Sequence, residues 1–196
     1  MTAIRKTTAL VANFAPFAIR AERASDVPAR EVLLDASFGE SRHTRTCQRL
    51  RDGRAPAEGL SFSATRNSML IGTVRLWHVS AGGVPALVLG PLAVDASCRS
   101  LGVGAALMGH ALAAAKARGH HAVILRGDPA YYERFGFSSV KTGELALPGP
   151  FERERLLAVE LRDGALAGAR GMIVATGSRA QQPCATKPHA IAAAAA

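Results

Sequence analysis

The chain has little cysteine, few aromatic residues and no long apolar run, and each shortage argues against a class of protein. Its three cysteines, Cys47, Cys98 and Cys184, are far apart and form no Cys-x-x-Cys pair, which argues against a disulfide framework or a thiolate metal site. The six histidines also lack the His-Glu-x-x-His spacing of a helical zinc site. We therefore expect no bound metal and a reducing, cytoplasmic location.

Aromatic residues make up only 5% of the chain and do not alternate with basic residues, so a base-stacking surface for nucleic acid is disfavoured. Residues 101–115 form the longest apolar stretch, but His110 interrupts it and it is too short to cross a membrane. The chain nevertheless carries 24 Lys and Arg residues against 15 Asp and Glu, a net charge of +9. A polyanionic small ligand accounts for this charge without a membrane or nucleic acid as partner.

A chain of 196 residues can hold one ordinary domain with a full core. We expect a flexible leader over residues 1–16, one domain over 17–163 and a low-complexity tail over 164–196. The leader is a poor match to an export signal. The tail consists largely of Ala, Gly, Ser, Thr and Gln, a composition that does not favour packing into a core.

Apolar periodicity, turn residues and helix caps predict alternating strands and helices. Strands are predicted at 17–20, 60–65, 69–79, 84–94 and 121–125, after Gly136-Phe137, and at 156–161. Helices are predicted at 27–38, from 41 or 44 to 52, at 104–118 and at 129–135. The three strands between 60 and 94 follow one another through short turns and should be antiparallel. The helix 104–118 should make the strands on either side of it parallel.

A glycine loop, Arg99-Ser100-Leu101-Gly102-Val103-Gly104, joins an apolar strand to an alanine-rich helix. Glycines let the backbone approach a ligand closely, and the unpaired N–H groups of a first helical turn favour phosphate. The dinucleotide fingerprint fails because Leu107 stands at its third glycine, and the Lys-Ser/Thr pair of a P-loop is absent. A plain tight turn, with Arg99 as a solvated charge, is the alternative for this loop taken alone.

A second motif lies downstream, where Asp128 follows a predicted strand and Tyr132 stands four residues before Gly136-Phe137. The two motifs, in this order, resemble the GCN5-related N-acetyltransferase (GNAT) family, and within it a bacterial branch of predicted acetyltransferases with unassigned substrates. The resemblance spans 17–161 in element order. It implies an α/β (α+β) fold, in which helices flank a mixed twisted sheet of about six to seven strands.

The resemblance implies that acetyl-CoA is the co-substrate and that no metal takes part. It assigns cofactor contacts to a strand end, the loop and the helix start, and to one downstream carboxylate. These residues are Leu92, Ala93, Val94, Arg99, Ser100, Leu101, Gly102, Val103, Gly104, Ala105 and Asp128. It further implies that Tyr132 is the general acid for the departing thiolate, since a phenol with a pKa of about 10 suits a thiol of about 8.5.

Two departures from the family pattern stand in the loop. Cys98 occupies a position where an aromatic residue is usual. Ser100-Leu101 replaces a more common Gly-Lys or Asn-Arg pair. Backbone N–H groups can still serve the phosphates, but one cationic contact to the cofactor is lost.

The expected activity is acetyl transfer from acetyl-CoA to a primary amine of a small molecule or a protein, by direct attack in a ternary complex. Two alternatives stay open: a non-catalytic acyl-CoA-binding regulatory module, and a basic nucleic-acid-binding protein whose binding would weaken steeply with salt. The oligomeric state is also open, with a homodimer among the options.

The general base and the acceptor are not assigned by the sequence. The conceivable bases are His78, Glu40, Asp95 and Glu133, or a water chain to solvent. Three arginines, Arg42, Arg45 and Arg49, recur at helical spacing on the predicted second helix. A solvated charged face is the simpler interpretation of these arginines. If they serve the site instead, the acceptor is anionic.

Overall fold

A computed structural model describes residues 17–180 of the chain. The expected leader, 1–16, and the last part of the expected tail, 181–196, lie outside the described residues. No helix within the described range is both long and apolar enough to cross a lipid bilayer.

The described residues form a mixed sheet with helices packed against it. The strands are β1 (Ala18–Ala21), β2 (Ser61–Arg66), β3 (Met69–Ala81), β4 (Val84–Val94), β5 (Ala122–Arg126), β6 (Leu145–Ala146), β7 (Leu156–Glu160) and β8 (Gly171–Ala175). The α-helices are α1 (Val27–Phe38), α2 (Val103–Ala117) and α3 (Pro129–Tyr132). The main strand order is β1-β2-β3-β4-β5-β7, and β8 joins both β3 and β6. The expected mixed sheet with flanking helices is confirmed.

Strand directions follow from the connections between strands. The consecutive strands β2, β3 and β4 pair antiparallel, as expected for strands joined by short turns. The β2–β3 turn lies at Asn67-Ser68, one residue later than expected, and both residues have positive φ angles of 49° and 64°. Helix α2 connects β4 to β5, and these two strands pair parallel, as expected for a helical crossover.

Each face of the sheet is covered by its own apolar cluster. Helix α2 contributes its buried residues Leu107, Met108, Ala111 and Ala115 to one cluster. These residues form the apolar stripe of the helix, and this stripe faces the sheet. A second cluster contains Trp77, Val88, Ile124, Leu145 and Ile173, all of them buried. Helix α1 contributes Leu33 and Leu34, which pack with Ala93 of β4.

The predicted second helix over 41–52 is wrong. The chain instead forms two short 3₁₀ turns, Glu40–Thr44 and Thr46–Leu50. Arg45 separates them with an extended backbone, φ −66° and ψ 144°, which no continuous helix can contain. Arg42, Arg45 and Arg49 therefore do not share a helical face.

The strand predicted directly after Gly136-Phe137 is also absent from the described residues. Only an isolated bridge joins Ser138 to Ala158 of β7. A 3₁₀ turn follows at once, Val140–Thr142. Thr142 is buried and its hydroxyl donates to the Leu156 carbonyl at 2.6 Å, so a side-chain bond replaces part of the strand pairing that was expected here.

The expectation that the chain beyond Gly164 does not pack is wrong for residues 164–180. Strand β8 pairs antiparallel with β3 at Val79–Ala81, and Leu166, Ala169 and Ile173 are buried. These residues pack because β3 is longer than β2, and the pairing of β3 with β2 ends at Arg75. The rest of that edge would expose unpaired backbone groups, and β8 covers it.

Burial of Ile173 predicts a clear loss of stability when the side chain is shortened. Ile173 is 0% exposed, so Ile173→Ala should lower the free energy of unfolding by about 2–5 kcal/mol. Its neighbour Val174 is 47% exposed, and Val174→Ala should change it by less than about 0.5 kcal/mol. Urea denaturation of the full chain measures both. Equal, small effects would show that β8 is not part of the cooperative unit.

Candidate active site

The site begins where β4 and β5 separate. The two strands pair only at Leu87↔Val123 and Val88↔Ile124, although β4 continues to Val94. Beyond Val88 the β5-facing edge of β4 is therefore open. An open strand edge offers backbone N–H and C=O groups to a ligand.

A β-bulge at Gly90-Pro91 lies at this separation. The register of β4 on β3 shifts between Val74↔Leu92 and Leu76↔Leu89, so two residues of β4 oppose one of β3. Proline has no N–H to donate to a ladder. The Gly90 carbonyl, turned out of register, accepts a hydrogen bond from the indole Nε1 of Trp77 at 2.6 Å. A β-bulge is thus present at this dipeptide.

The glycine loop forms a tight entry to α2. Asp95 accepts a hydrogen bond from the Ser97 N–H at 2.9 Å and starts the loop. Ser100 and Gly102 have positive φ angles of 68° and 78°, and a left-handed residue is what turns the chain into the helix here. The first helical bond runs from the Ala106 N–H to the Gly102 carbonyl. The N–H groups of the preceding turn therefore lack partners within the helix.

A cavity of about 450 Å³, which we call the loop cavity, lies against this turn. It is lined by most of the expected cofactor residues: Leu92, Ala93, Val94, Arg99, Ser100, Gly102, Val103, Gly104 and Ala105. Leu101 does not line it and packs against the apolar cluster under α2. Asp128 does not line it either, because its carboxylate caps α3 and accepts from the Ala130 N–H at 3.2 Å.

Sequence reasoning missed five residues of the loop cavity: Ser37, Phe38, Cys98, Tyr131 and Arg134. The Arg134 guanidinium lies 4.1 Å from the centre of the Tyr131 ring, and its Nε donates to the Tyr131 carbonyl at 3.0 Å. Tyr131 and Arg134 are three residues apart, which is the spacing of neighbours on one side of a helix. This spacing is the sequence signal that could have identified the pair. The pair adds a second cation to the cavity, beside Arg99.

A second cavity of about 160 Å³ adjoins the first, and we call it the arginine cavity. Its walls include Arg42, Arg45 and Arg51, the bulge Gly90-Pro91, and Leu125, Arg126 and Tyr132. Phe38 and Leu92 line both cavities. The two spaces therefore meet at the point where β4 and β5 separate.

Tyr132 is held against the end of β5. Its ring lies edge-on to Tyr131, with 4.9 Å between ring centres, and 5.9 Å from the ring of Phe137. A Cβ at Gly127 would lie 2.1 Å from Cε2 of Tyr132, so only glycine allows this ring position. Burial raises the pKa of the Tyr132 phenol, and the nearby Tyr131 and Asp128 raise it further. The hydroxyl stays protonated at neutral pH and can donate a proton.

None of the four conceivable bases lines either cavity. They are Glu40, His78, Asp95 and Glu133. His78 instead faces His120, with 5.3 Å between ring centres, and Asp95 caps the start of the loop. Within residues 17–180, neither cavity has a carboxylate or a histidine in its lining.

Comparison with known proteins identifies the class to which this fold and site belong. A sequence profile of the Acetyltransferase (GNAT) family matches residues 27–137. The Escherichia coli K12 protein described as the uncharacterized N-acetyltransferase YhbS is 31% identical over 157 residues, which cover 79% of this chain and 93% of that protein. The chain belongs to the GNAT family of acetyltransferases, and the expected acyltransferase class is confirmed.

Two solved structures share this fold. The crystal structure of Escherichia coli YhbS, a GNAT family N-acetyltransferase in complex with CoA, has a TM-score of 0.70 and 30% identity, and covers 82% of this chain and 89% of that one. A GNAT family acetyltransferase from Brucella melitensis in complex with acetyl-CoA has a TM-score of 0.55 and 25% identity, and covers 74% and 96%.

The environment of Tyr132 predicts a high phenol pKa that can be measured directly. The chain has only two tyrosines, so Tyr131→Phe leaves Tyr132 as the sole phenol. Its pKa should lie above the ordinary value of about 10, because burial is the largest cause of the rise. Ultraviolet absorbance of tyrosinate during a pH titration measures it. The urea-unfolded variant is the control, and equal midpoints for the folded and unfolded chains would contradict the prediction.

Proposed function

We propose that the protein transfers an acetyl group from acetyl-CoA to a primary amine, by direct attack within a ternary complex. One observation carries this proposal: the loop cavity and the arginine cavity meet at Leu92, at the separation of β4 and β5. The loop cavity accommodates the cofactor and the arginine cavity the acceptor. The thioester then lies where the two meet.

The loop cavity has the chemistry that CoA phosphates need. Unpartnered N–H groups at the start of α2 and the positive end of the helix dipole favour an anion. Arg99 and Arg134 line the same space and add two charges. The open edge of β4 over 92–94 offers backbone groups to the amide-rich pantetheine arm. The complexes of the two solved relatives with CoA and acetyl-CoA support this assignment.

The transfer needs one bond formed and one broken. The neutral amine nitrogen attacks the thioester carbon, a C–N bond forms, and the carbonyl oxygen becomes an oxyanion that a backbone N–H can stabilise. Collapse of this intermediate breaks the C–S bond. The CoA thiolate takes a proton from the Tyr132 hydroxyl, the amine releases its extra proton to water, and water returns a proton to the tyrosinate. Tyr132 is a lining residue of the arginine cavity, where we place the acceptor.

The arginine cavity compensates for the absence of a protein base from its lining. Positive charges near an ammonium group favour its neutral form. Several guanidinium groups line this space, and no carboxylate or histidine among residues 17–180 does. The acceptor amine therefore loses its proton to water more readily here than in bulk solvent. We place the protein in a reducing cytosol, a proposal that the free thiols of Cys47 and Cys98 support.

A negative charge at the start of α2 should weaken cofactor binding. Gly104→Asp places a carboxylate beside the phosphate position, where Gly104 lines the loop cavity. The Kd for acetyl-CoA should rise at least about tenfold. Gly109 lies in the same helix, exposed and with no atom within 4 Å of an added Cβ, so Gly109→Asp is the matched control and should leave the Kd within about twofold. Calorimetry measures both, and equal Kd values would refute this cofactor assignment.

Removal of the Tyr132 hydroxyl should slow turnover without weakening cofactor binding. Tyr132→Phe should lower kcat by a factor of about 10²–10⁴, the usual contribution of general acid catalysis. Thiol release from acetyl-CoA with a panel of amines measures the rate, and calorimetry checks the affinity. Tyr131→Phe keeps the ring on which Arg134 stacks and should reduce kcat far less. No thiol release by the wild type, despite acetyl-CoA binding, would favour a non-catalytic acyl-CoA-binding module.

A further inference from the structure

Four guanidinium groups, and no carboxylate of residues 17–180, line the arginine cavity. Arg42 is paired with Glu31 and Asp35, both at 2.6 Å, and Arg126 is paired with Glu152. Two other lining arginines, Arg45 and Arg51, have no carboxylate within salt-bridge distance among residues 17–180. The cavity thus has two guanidinium groups with no salt-bridge partner among the described side chains.

Arg51 is placed at the inner end of this cavity. Its Nε donates to the Cys47 carbonyl at 3.2 Å, and within residues 17–180 no hydrogen bond engages its two Nη atoms. A Cβ built on Gly90 would lie 3.8 Å from Arg51 Nη1, so the guanidinium reaches the bulge where β4 leaves β5. Burial lowers the pKa of Arg51; the charges of Cys47 and Asp52 raise it, and those of Arg42 and Arg45 lower it. Arginine nevertheless stays charged at neutral pH.

Arg126 contributes a second unsatisfied donor to the same space. Its Nε is buried and has no hydrogen-bond partner in the described part of the chain. The charges of both Arg51 and Arg126 act on the Cys47 thiol, where they oppose the rise in its pKa that burial causes. Both guanidinium groups are therefore close to one side chain of the cavity wall. A buried donor without a partner is costly, so this wall of the cavity has hydrogen-bonding capacity that the described residues do not satisfy.

Arg45 is positioned at the rim of the cavity. It is exposed, its Nη2 donates to the Phe38 carbonyl at 3.1 Å, and its guanidinium lies 5.3 Å from the centre of the Phe38 ring. Phe38 also lines the loop cavity. The rim charge is thus held at the junction of the two cavities, where it can attract an anion from solvent.

We propose that the arginine cavity recognises an oxyanion, a carboxylate or a phosphate, on the amine substrate, with Arg51 as its principal ligand. This inference rests on the proposed acetyl transfer. Planar guanidinium groups bind such oxyanions through paired hydrogen bonds. The small volume of the cavity, about 160 Å³, favours a compact molecule in which a few bonds separate the amine from the oxyanion. A polyamine or an isolated lysine side chain lacks this group.

Matched acceptors test the proposal with the full chain. β-Alanine carries a carboxylate that propylamine lacks, and aminoethylphosphonate carries a phosphonate in place of the carboxylate. The wild type should prefer at least one of the two anionic amines over propylamine by at least tenfold in kcat/KM, and the better one identifies the oxyanion. Equal or better use of propylamine, or of a lysine peptide without acidic residues, would overturn the proposal while leaving acetyl transfer intact.

Variants assign the effect to Arg51. Arg51→Met should raise KM for the preferred anionic amine roughly 10- to 100-fold, the usual effect of losing a charged hydrogen bond, with no comparable rise for propylamine. Arg49→Met is the matched control, because Arg49 is exposed, donates to the Pro148 carbonyl at 2.8 Å and does not line the cavity. Arg51→Lys, which keeps the charge, should lose less than Arg51→Met and serves if that variant does not fold. Retention of the preference in Arg51→Met or Arg51→Lys at the wild-type level would refute the role of Arg51.

A binding measurement separates this proposal from catalysis. N-acetyl-β-alanine, the N-acetyl derivative of aminoethylphosphonate and N-propylacetamide represent the three products, and calorimetry with the full chain measures their affinities without turnover. Tighter binding of an anionic compound, lost in Arg51→Met and kept in Arg49→Met, supports the oxyanion site even if no acetyl transfer occurs. Equal affinities for N-propylacetamide, N-acetyl-β-alanine and the N-acetyl derivative of aminoethylphosphonate would overturn it. Failure of the wild type to bind acetyl-CoA would instead overturn the proposed function.

Discussion

The separation of β4 from β5 is the constraint on which the rest of the site depends. The two strands pair at only two positions, and the bulge at Gly90-Pro91 turns β4 away at that point. A continuous ladder would fill the space now occupied by two adjoining cavities. The backbone groups of 92–94 would also be used within the sheet. The bulge converts an ordinary parallel pair into an open edge with a cavity on each side of Leu92.

Buried charges connect this bulge to helix α1. Arg75 stands opposite Gly90-Pro91 in the register, and its Nε donates to Glu22 at 2.7 Å. Glu22 also binds Arg30 of α1. The side chain of Glu22 is only 6% exposed, so loss of either arginine would leave a buried charge poorly compensated. The network fixes α1 relative to the bulge, and Phe38 at the end of α1 consequently reaches both cavities.

Much of the loop cavity could be predicted from the sequence because its determinants are local. The glycine loop and the start of α2 each lie within a few consecutive residues, and turn chemistry and helix periodicity act over that range. The arginine segment was harder. Arg42, Arg45 and Arg49 have helical spacing, but an extended Arg45 breaks the helix, and Arg51 rather than Arg49 lines the cavity. The spacing of the arginines in the sequence does not indicate that Arg51, and not Arg49, lines the cavity.

The sequence by itself determined the family, the places of β1 to β5 and of β7 along the chain, and the loop that lines the loop cavity, because each depends on short-range patterns. The tertiary structure alone decided that residues 164–180 belong to the fold, since β8 pairs with an edge of β3 more than 90 residues earlier in the chain, at Val79↔Ala175. It also decided which arginines line the arginine cavity. Their partners come from distant segments, as Glu152 does for Arg126, and whether a charge is neutralised depends on contacts that no local pattern records.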